Sequence, residues 1–353
     1  MARKDSELTG VKEIARRANV SIGTVDRVIH NRKGVSKKTK DKINAIIKEL
    51  DYQPNIFARR LASKKQLVFA ILIPKVSQET NYWEAPLLGI EQAGAEISPY
   101  GITVQPYLYE VNDKKSFLEQ VARIDLDQVQ GVLLAPSFIE ESAHFIKALE
   151  SKKIPYVFIN SDIPGYNSLS YFGPDLYQSG YLSAHLMKYL VKRKEKVLII
   201  NISQEIDDQH HLSRKEQGFR NYFKDHKIES PILKIDIQQT DYAHVSKALG
   251  QILRKEPVAA IFVTNSRVST VAKYLKKTKD TQPILIGFDY TKENLVFLKE
   301  GIIDFLICQK PREQGYKGLM ALYQFVLHSR TGEKNNFMPI DIITSENCDF
   351  YIN

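Results

Sequence analysis

The chain has 353 residues, of which 43% are hydrophobic and 26% charged, as in ordinary globular proteins. This length exceeds one ordinary hydrophobic core, so two or three domains are expected. No apolar run is long enough to cross a bilayer, and the first residues lack the apolar core of a signal peptide. The sequence therefore predicts a cytoplasmic protein without a membrane partner.

Positive charge is concentrated at one end of the chain. Residues 1–65 contain 17 Lys or Arg against 7 Asp or Glu, whereas the remaining residues contain 33 against 34. A general solubilising charge would be spread along the whole chain. A cluster of cations is what release of counterions from a phosphate backbone requires, so this end is expected to bind nucleic acid.

Three helical patterns follow one another between residues 11 and 50. Apolar residues in them recur at the spacing of one buried helix face. Ser21 and Ser36 are expected to cap the second and third helices, because a serine hydroxyl can accept an otherwise unpaired amide. The inner faces comprise Val11, Ile14, Ala15 and Ala18, then Val25, Val28 and Ile29, then Ile43, Ile46, Ile47 and Leu50. The pattern predicts a helix-turn-helix whose second helix enters the DNA major groove; a plain three-helix bundle is the alternative.

The same stretch carries a dense set of short motifs. They are Val11-Lys12-Glu13-Ile14-Ala15, Val20-Ser21, Thr24-Val25, Arg27-Val28, Val35-Ser36 with Thr39, Leu50-Asp51-Tyr52 and Pro54-Asn55. In these motifs the chain resembles the DNA-binding domain of the LacI/GalR family of bacterial transcription regulators, an all-α, lambda-repressor-like headpiece.

That resemblance implies which residues of the second helix meet double-stranded operator DNA. Ile22, Gly23 and Arg27 would contact the bases, and Ser21 and Thr24 are also expected at the DNA. Asp26 departs from the family pattern, in which a small hydroxyl residue is common. Because a carboxylate facing phosphates is unfavourable, Asp26 either reads a cytosine amine, pairs near Arg27 or points away.

A short segment after Pro54 connects this headpiece to the rest of the chain, since proline cannot continue a helix. The resemblance identifies residues 55–66 as the hinge helix and linker, which folds in the DNA minor groove; a flexible tether is the alternative. Asn55 would cap the hinge helix, Leu61 would wedge between base steps, Ala58 would allow close approach and Arg59 would face the phosphates. The headpiece then spans residues 1–54.

From residue 67 onward, short apolar runs alternate with helical patterns, which predicts parallel sheets covered by helices. The expected strands are 67–73, 102–108, 131–135, 155–160, 168–172, 197–201, 232–237, 258–263, 284–288, 304–308 and a pair near 340–352. They are too many for one compact sheet, so two doubly wound lobes are predicted. Residues 67–353 resemble the effector and dimerisation domain of the same family, which is periplasmic-binding-protein-like of type I. The N-lobe would take about 67–172 and 308–334, and the C-lobe about 173–307 and 335–353.

Polar side chains follow several strands, at the sheet edge where open α/β folds bind ligands. Asn160, Asn265, Asp289 and Gln309 each match a cleft position of the family, and Trp83 offers an apolar face for a sugar ring. Individually, such Asn and Asp residues are more often turn formers or helix caps, and Trp83 could equally lie in the core.

One cation of the expected site is ambiguous. The family's ligand-binding arginine lies three residues before a Gly-aromatic pair, here Gly218-Phe219. That position is Lys215, with Arg214 one residue earlier, and either could contact the effector.

Enzyme and metal chemistry are not indicated. The sequence has no Gly-rich phosphate loop and no nucleophile elbow, and we expect no catalysis, cofactor or metal. The pair His210-His211 is interpreted as part of a solvated loop, because adjacent histidines point apart. Cys308 and Cys348 lie in apolar settings and are expected to be reduced.

The sequence thus predicts a homodimeric, or alternatively tetrameric, DNA-binding transcription regulator, with repression as the expected action. Its effector would be a small polar molecule, a sugar or sugar derivative, bound between the lobes. One alternative is a nucleobase or nucleoside effector stacked on Trp83, Tyr82 or Phe288. The other is a sugar-binding protein or sugar-acting enzyme with a basic N-terminal bundle.

Overall fold

The computed structural model describes residues 10–29, 32–50, 52, 66–77, 81–204, 210–278 and 282–351. The chain divides into two compact units, residues 1–65 and residues 66–353. The predicted hinge-helix residues lie outside the described residues, and their DNA contacts stay predictions: Asn55, Ala58, Arg59 and Leu61.

The first unit is the expected three-helix headpiece, with α1 (Val11–Ala18), α2 (Ile22–Ile29) and α3 (Lys37–Glu49). Its core contains Ile14, Ala15, Ala18, Val25, Val28, Ile43 and Ile46, so the predicted inner faces are confirmed. Both predicted caps form: Ser21 Oγ accepts the Thr24 amide at 3.1 Å, and Ser36 Oγ accepts the Thr39 amide at 3.2 Å. Asn19, with φ 54°, supplies the left-handed turn between α1 and α2.

The second unit alternates strands and helices as predicted. Its first part contains β1 (Leu67–Pro74), α4 (Glu84–Ile97), β2 (Ile102–Tyr109), α5 (Lys114–Arg123), β3 (Val129–Leu134), α6 (Ile139–Ser151), β4 (Tyr156–Ile159), β5 (Ser170–Gly173), α7 (Leu176–Lys188) and β6 (Val197–Ile202). Its second part contains α8 (His210–Asp225), β7 (Ile232–Ile237), α9 (Tyr242–Lys255), β8 (Ala260–Val263), α10 (Val268–Thr278), β9 (Ile284–Phe288), α11 (Lys292–Lys299), β10 (Phe305–Cys308), α12 (Pro311–His328), β11 (Asn335–Phe337) and β12 (Asp341–Ile343). Short 3₁₀ turns occupy Ser98–Tyr100 and Cys348–Phe350.

These elements build two six-stranded sheets, one in each lobe. The N-lobe order is β11-β5-β4-β3-β1-β2, with every pairing parallel. The C-lobe order is β12-β10-β9-β8-β6-β7, with only β12 antiparallel to its neighbour. Strands such as β1 and β6 have a neighbouring strand on each side and are buried on both faces, which explains their continuous apolar sequences.

The chain crosses between the lobes three times, and the third crossing differs from the prediction. Residues 335–337 form β11, which pairs with β5 in the N-lobe sheet, whereas the sequence had assigned residues 335–353 to the C-lobe. The strand is short, polar and largely exposed, and it lies at the sheet edge. It therefore lacks the apolar run by which the other strands are recognised.

No helix in the described ranges combines the length and the apolar character that a membrane span requires. Both cysteines are buried and unpaired, and burial raises the pKa of Cys308 well above its ordinary value.

Candidate DNA-binding surface and effector cleft

The outer face of α2 is available for contact with another molecule. Ser21, Ile22, Gly23 and Arg27 are exposed and Thr24 is partly exposed. Half of the Ile22 surface is accessible. These are the five headpiece residues that the sequence predicts at the DNA.

Asp26 has a partner within the headpiece. Its carboxylate lies 3.2 Å from Arg32 Nη1, in the segment that follows α2. The ion pair offsets the negative charge that Asp26 would otherwise present to phosphates. Of the alternatives that the sequence allowed for Asp26, the structure shows pairing within the domain.

A cavity of about 90 Å³ lies between the lobes, at the carboxyl ends of strands from both sheets. Six of the seven predicted effector residues line it. They are Trp83, Asn160, Lys215, Asn265, Asp289 and Gln309. The arrangement follows from the parallel sheets, because the carboxyl ends of the parallel strands in each lobe lie at the same edge of the sheet.

Lys215 is the buried cation of this cleft. Its ammonium donates to the Thr264 carbonyl at 3.1 Å and lies 3.6 Å from the centre of the Phe288 ring. Burial lowers the pKa of Lys215 to about 8, and the negative charge of Asp289 acts in the opposite direction. The amine therefore stays mainly protonated at neutral pH, with two of its hydrogens left for other acceptors.

Asp289 follows β9 in a left-handed conformation, with φ 74°, and its side chain lines the cleft. Burial raises the pKa of its carboxyl to about 6, against the opposing effect of the Lys215 charge. A buried carboxylate near a buried ammonium can bind a ligand that has both hydrogen-bond donors and acceptors, such as vicinal hydroxyls.

Asn160 also has a left-handed backbone, with φ 66°, and directly follows β4. Its side-chain oxygen accepts a hydrogen bond from the Tyr82 hydroxyl at 2.7 Å. The Tyr82 ring lies edge-on to Trp83, with 5.1 Å between the centroids. Both rings are nearly buried, so they form the apolar side of the cavity.

The remaining two amides are partly engaged by the fold. The Gln309 side-chain amide donates to Ser179 Oγ at 3.0 Å, and the Gln309 backbone carbonyl accepts from the Gln314 side chain at 2.7 Å. Asn265 donates to the Ile202 carbonyl at 2.7 Å and accepts the Arg267 amide at 3.2 Å. The predicted turn-forming role of Asn265 and its position in the cleft thus coexist.

Arg214 lies outside this cleft. Its guanidinium lies over the Tyr177 ring, 5.4 Å from the centroid, and hydrogen-bonds Gln217. Successive residues of α8 point about 100° apart, so only one of the two adjacent cations can face the cavity.

The interpretation of His210 and His211 as a solvated loop is wrong. They are the first two described residues of α8. His211 lines the cleft, and burial, with the Lys215 charge second, lowers its pKa to about 3. Among the described residues, no three side chains of metal-ligating type come together.

The cavity also contains residues that the sequence did not single out for it, including Asn112, Ser203 and Arg267. It further contains Ser137, which follows the predicted strand 131–135. Asn112 follows β2, whose carboxyl end reaches the same edge. Arg267 carries no motif and is brought there by the loop before α10.

Comparison with known proteins agrees with this architecture. Residues 10–55 match the model of the lacI family of bacterial regulatory proteins, and residues 69–329 match the periplasmic binding protein domain. The first unit thus has the architecture of a lacI-family headpiece, and the second that of a periplasmic binding protein domain. The chain belongs to the LacI family.

Two curated relatives illustrate the similarity. Catabolite control protein A of Staphylococcus xylosus is 31% identical over 148 residues, 42% of each chain. The HTH-type transcriptional regulator RegA of Clostridium acetobutylicum is 29% identical over 151 residues, 43% of each chain. The chain thus spans about two fifths of the length of these relatives.

Solved structures cover more of the chain. A Bacteroides fragilis protein assigned to the LacI transcriptional regulators is 31% identical, with TM-score 0.76, over 82% of this chain and all of that one. The glucose-galactose binding protein GanP of Geobacillus stearothermophilus is 22% identical, with TM-score 0.71, over 80% of this chain and 98% of its own. The second likeness shows the fold alone.

Proposed function

We propose that the protein is a transcription regulator that binds double-stranded operator DNA and whose DNA affinity is set by a small polar effector, a sugar or sugar derivative. The observation that carries the proposal is the cleft, where one ammonium, one carboxylate and three amides converge beside Trp83. A few directional polar groups around an apolar ring are what a polyhydroxylated ligand requires. The cationic headpiece supplies the DNA-binding part.

In the proposed mechanism the effector bridges the two lobes. Lys215, Asn265 and Asp289 bind it from the C-lobe, and Asn160 and Trp83 from the N-lobe. Closure of the lobes changes the arrangement of the two headpieces in a homodimer, and with it the affinity for two half-sites. Repression is the proposed mode of action. Operator DNA must change effector affinity by the same factor, because the two binding equilibria are linked.

The effector half of the proposal is tested by thermal unfolding of the full-length protein with a panel of sugars, sugar derivatives and nucleosides. We expect one sugar-like compound to raise the unfolding temperature, as a ligand of the folded state does. Lys215→Met should abolish the rise and Arg214→Met should preserve it. Stabilisation by a nucleoside alone would favour a nucleobase effector, and consumption of a sugar would indicate an enzyme.

The aromatic rings bear on the nucleoside alternative. Phe288 is fully buried, so it offers no face to a ligand. Tyr82 and Trp83 are the aromatic side chains that line the cavity.

The DNA half is tested by selecting duplexes from a random pool with the full-length protein. Arg27→Ala should lose discrimination of about 1–3 kcal/mol at one base pair of each half-site, as removal of a bidentate contact does. Arg16→Ala is the control, because Arg16 lies on α1 and pairs with Glu13 at 2.7 Å. If the wild type enriches no duplex, with or without the effector, the regulator assignment fails.

A further inference from the structure

A second and larger cavity lies in the C-lobe, near the start of α9 and beside α10 and α11. Its volume is about 750 Å³. It has two lining residues in common with the effector cleft, Ser266 and Arg267. Four cationic side chains line it against a single carboxylate, that of Glu293. The excess of positive charge sets it apart from the effector cleft.

Two of the cations lie over one aromatic ring. Lys273 and Lys277 are one helical turn apart on α10, with their ammonium groups 4.5 and 4.8 Å from the centre of the Tyr242 ring. Attraction to the ring contributes about 0.5–1 kcal/mol for each exposed ammonium. It is opposed by repulsion between like charges at this spacing, a few tenths of a kcal/mol.

Neither lysine has a carboxylate partner within 4 Å among the described parts of the chain. The neighbouring Lys276 differs, because both oxygens of the Glu300 carboxylate lie 2.8 Å from its ammonium. The Glu293 carboxylate is also occupied, accepting a hydrogen bond from Asn81 at 2.7 Å. The cavity therefore presents two adjacent ammonium groups whose charge the described residues leave uncompensated.

The side chains that line the cavity restrict the kind of ligand that would neutralise the charges of the two ammonium groups. Ammonium groups and the Arg267 guanidinium, with nearby Ser and Thr hydroxyls, suit the oxygens of a phosphate group, which accept several charge-assisted hydrogen bonds. The rings of Tyr242 and Phe297 add apolar surface. The volume far exceeds that of a phosphate ion and falls in the range of small-metabolite sites.

We propose that this cavity binds a phosphorylated small molecule, with its phosphate between Lys273 and Lys277 and its organic part against Tyr242 and Phe297. The site is separate from the proposed sugar cleft, and its occupant is a second kind of ligand.

The experiment is calorimetric titration of the full-length protein with inorganic pyrophosphate at constant ionic strength. We expect millimolar or tighter binding to the wild type. The double substitution Lys273→Gln with Lys277→Gln should weaken it at least about tenfold, because two charge-assisted contacts are lost. The control is Lys188→Gln with Lys192→Gln, which removes the same charge at the same spacing elsewhere on the C-lobe and should leave binding unchanged. The double substitution Lys273→Arg with Lys277→Arg keeps both positive charges and should retain pyrophosphate binding.

Three results would overturn the proposal. The first is absence of binding to the wild type in the millimolar range. The second is equal weakening by both glutamine pairs, which would indicate only general attraction of anions. The third is altered sedimentation of the Lys273→Gln, Lys277→Gln protein with unchanged pyrophosphate binding, which would mean that a second copy of the chain occupies the cavity. If the Lys273→Gln, Lys277→Gln protein fails to fold, the proposal is tested by comparing the wild type, the Lys273→Arg, Lys277→Arg protein and the control. Loss of pyrophosphate binding in the double-arginine protein would contradict the proposed phosphate contact.

Discussion

At the scale of single residues, the effector cleft combines two buried charges whose ordinary protonation is disturbed. Burial raises the pKa of Asp289 to about 6 and lowers the pKa of Lys215 to about 8. Between these two values both groups are charged in the folded protein. The cleft is thus electrically polarised at neutral pH, where an effector would meet it.

The sign of the resulting pH dependence follows from proton binding. From the ordinary Asp value of 3.8 up to about 6, the folded protein holds a proton on Asp289 that the unfolded chain has lost. Stability contributed by this group is therefore present below that range and is lost as the pH rises through it. Lys215 acts at higher pH. From about 8 up to its ordinary value of 10.5, the unfolded chain holds more protons, so stability recovers as the pH rises.

Asp289→Asn should remove the loss of stability that accompanies deprotonation of Asp289 as the pH rises. Asparagine keeps the shape of the side chain and tolerates the left-handed backbone of this position. Its stability relative to wild type should therefore increase between about pH 4 and pH 6, by about 1 kcal/mol or more. Urea unfolding of the effector-free protein at several pH values measures this difference. The exposed Asp225→Asn is the control, and a pH-independent difference for Asp289→Asn would contradict the assignment.

How far these residues could be predicted depends on the backbone that carries them. Asn160, Asp289 and Gln309 follow apolar strands, and strand ends of a parallel sheet meet at one edge, so their convergence was predictable. The choice between Arg214 and Lys215 was not. It depends on the rotation of α8 about its axis, and the polar start of α8, at His210, gives no apolar periodicity from which to read that rotation.

At the scale of elements, each lobe contains one helix pair in direct backbone contact. In the C-lobe, Gly180 of α7 faces the Lys215 carbonyl and Gly218 of α8 faces the Tyr177 carbonyl; in both places a Cβ would overlap the opposing backbone. In the N-lobe, Gly89 of α4 and Gly315 of α12 make the reciprocal approach. Glycine is required there because no side chain fits between the helices.

The C-lobe contact also fixes the position of Lys215, whose backbone lies against Gly180. Gly180→Ala should force α7 and α8 apart, destabilise the protein by about 1–3 kcal/mol and displace the Lys215 ammonium. Gly250→Ala is the matched control on α9. Its Cβ would meet its nearest neighbour, the Tyr274 hydroxyl, at 3.4 Å, so a small stabilisation of about 0.5–1 kcal/mol is expected. Denaturant unfolding of both variants measures the contrast, and equal stabilities would argue against close helix packing.

The elements themselves were mostly predictable from periodicity, with limits that have a physical cause. The predicted bounds of β7 and β9 agree with the structure. β9 is an interior, buried strand, whereas β7 lies at the sheet edge and is recognised by its apolar residues. The edge strand β11 is stabilised by backbone pairing with β5 and carries no apolar pattern. Backbone pairing of this kind requires no particular side chains, so the local sequence does not predict it.

At the scale of the whole second unit, contacts between side chains cross from one lobe to the other beside the cleft. Glu84, at the start of α4 in the N-lobe, lies 3.3 Å from the Lys292 ammonium at the start of α11 in the C-lobe. The hydrogen bond between Asn81 and Glu293 makes the same crossing. Separation of the lobes would break these contacts, so they favour the arrangement of the lobes in this structure.

The Glu84–Lys292 pair is exposed, and its contribution is therefore small, about 1 kcal/mol at most. Lys292→Glu replaces attraction by repulsion and should shift the molecule toward an open form with a larger radius of gyration in small-angle scattering. An effector that bridges the lobes should bind less tightly, by a factor of less than about ten. Adding Glu84→Lys should restore most of both properties. Lys299→Glu is the matched control on α11, because Lys299 pairs with Asp349 of the same lobe, 2.6 Å away, and it should leave lobe closure unchanged. An identical response to the two charge reversals, or no recovery in the Glu84→Lys, Lys292→Glu protein, would show that this pair has no part in closure.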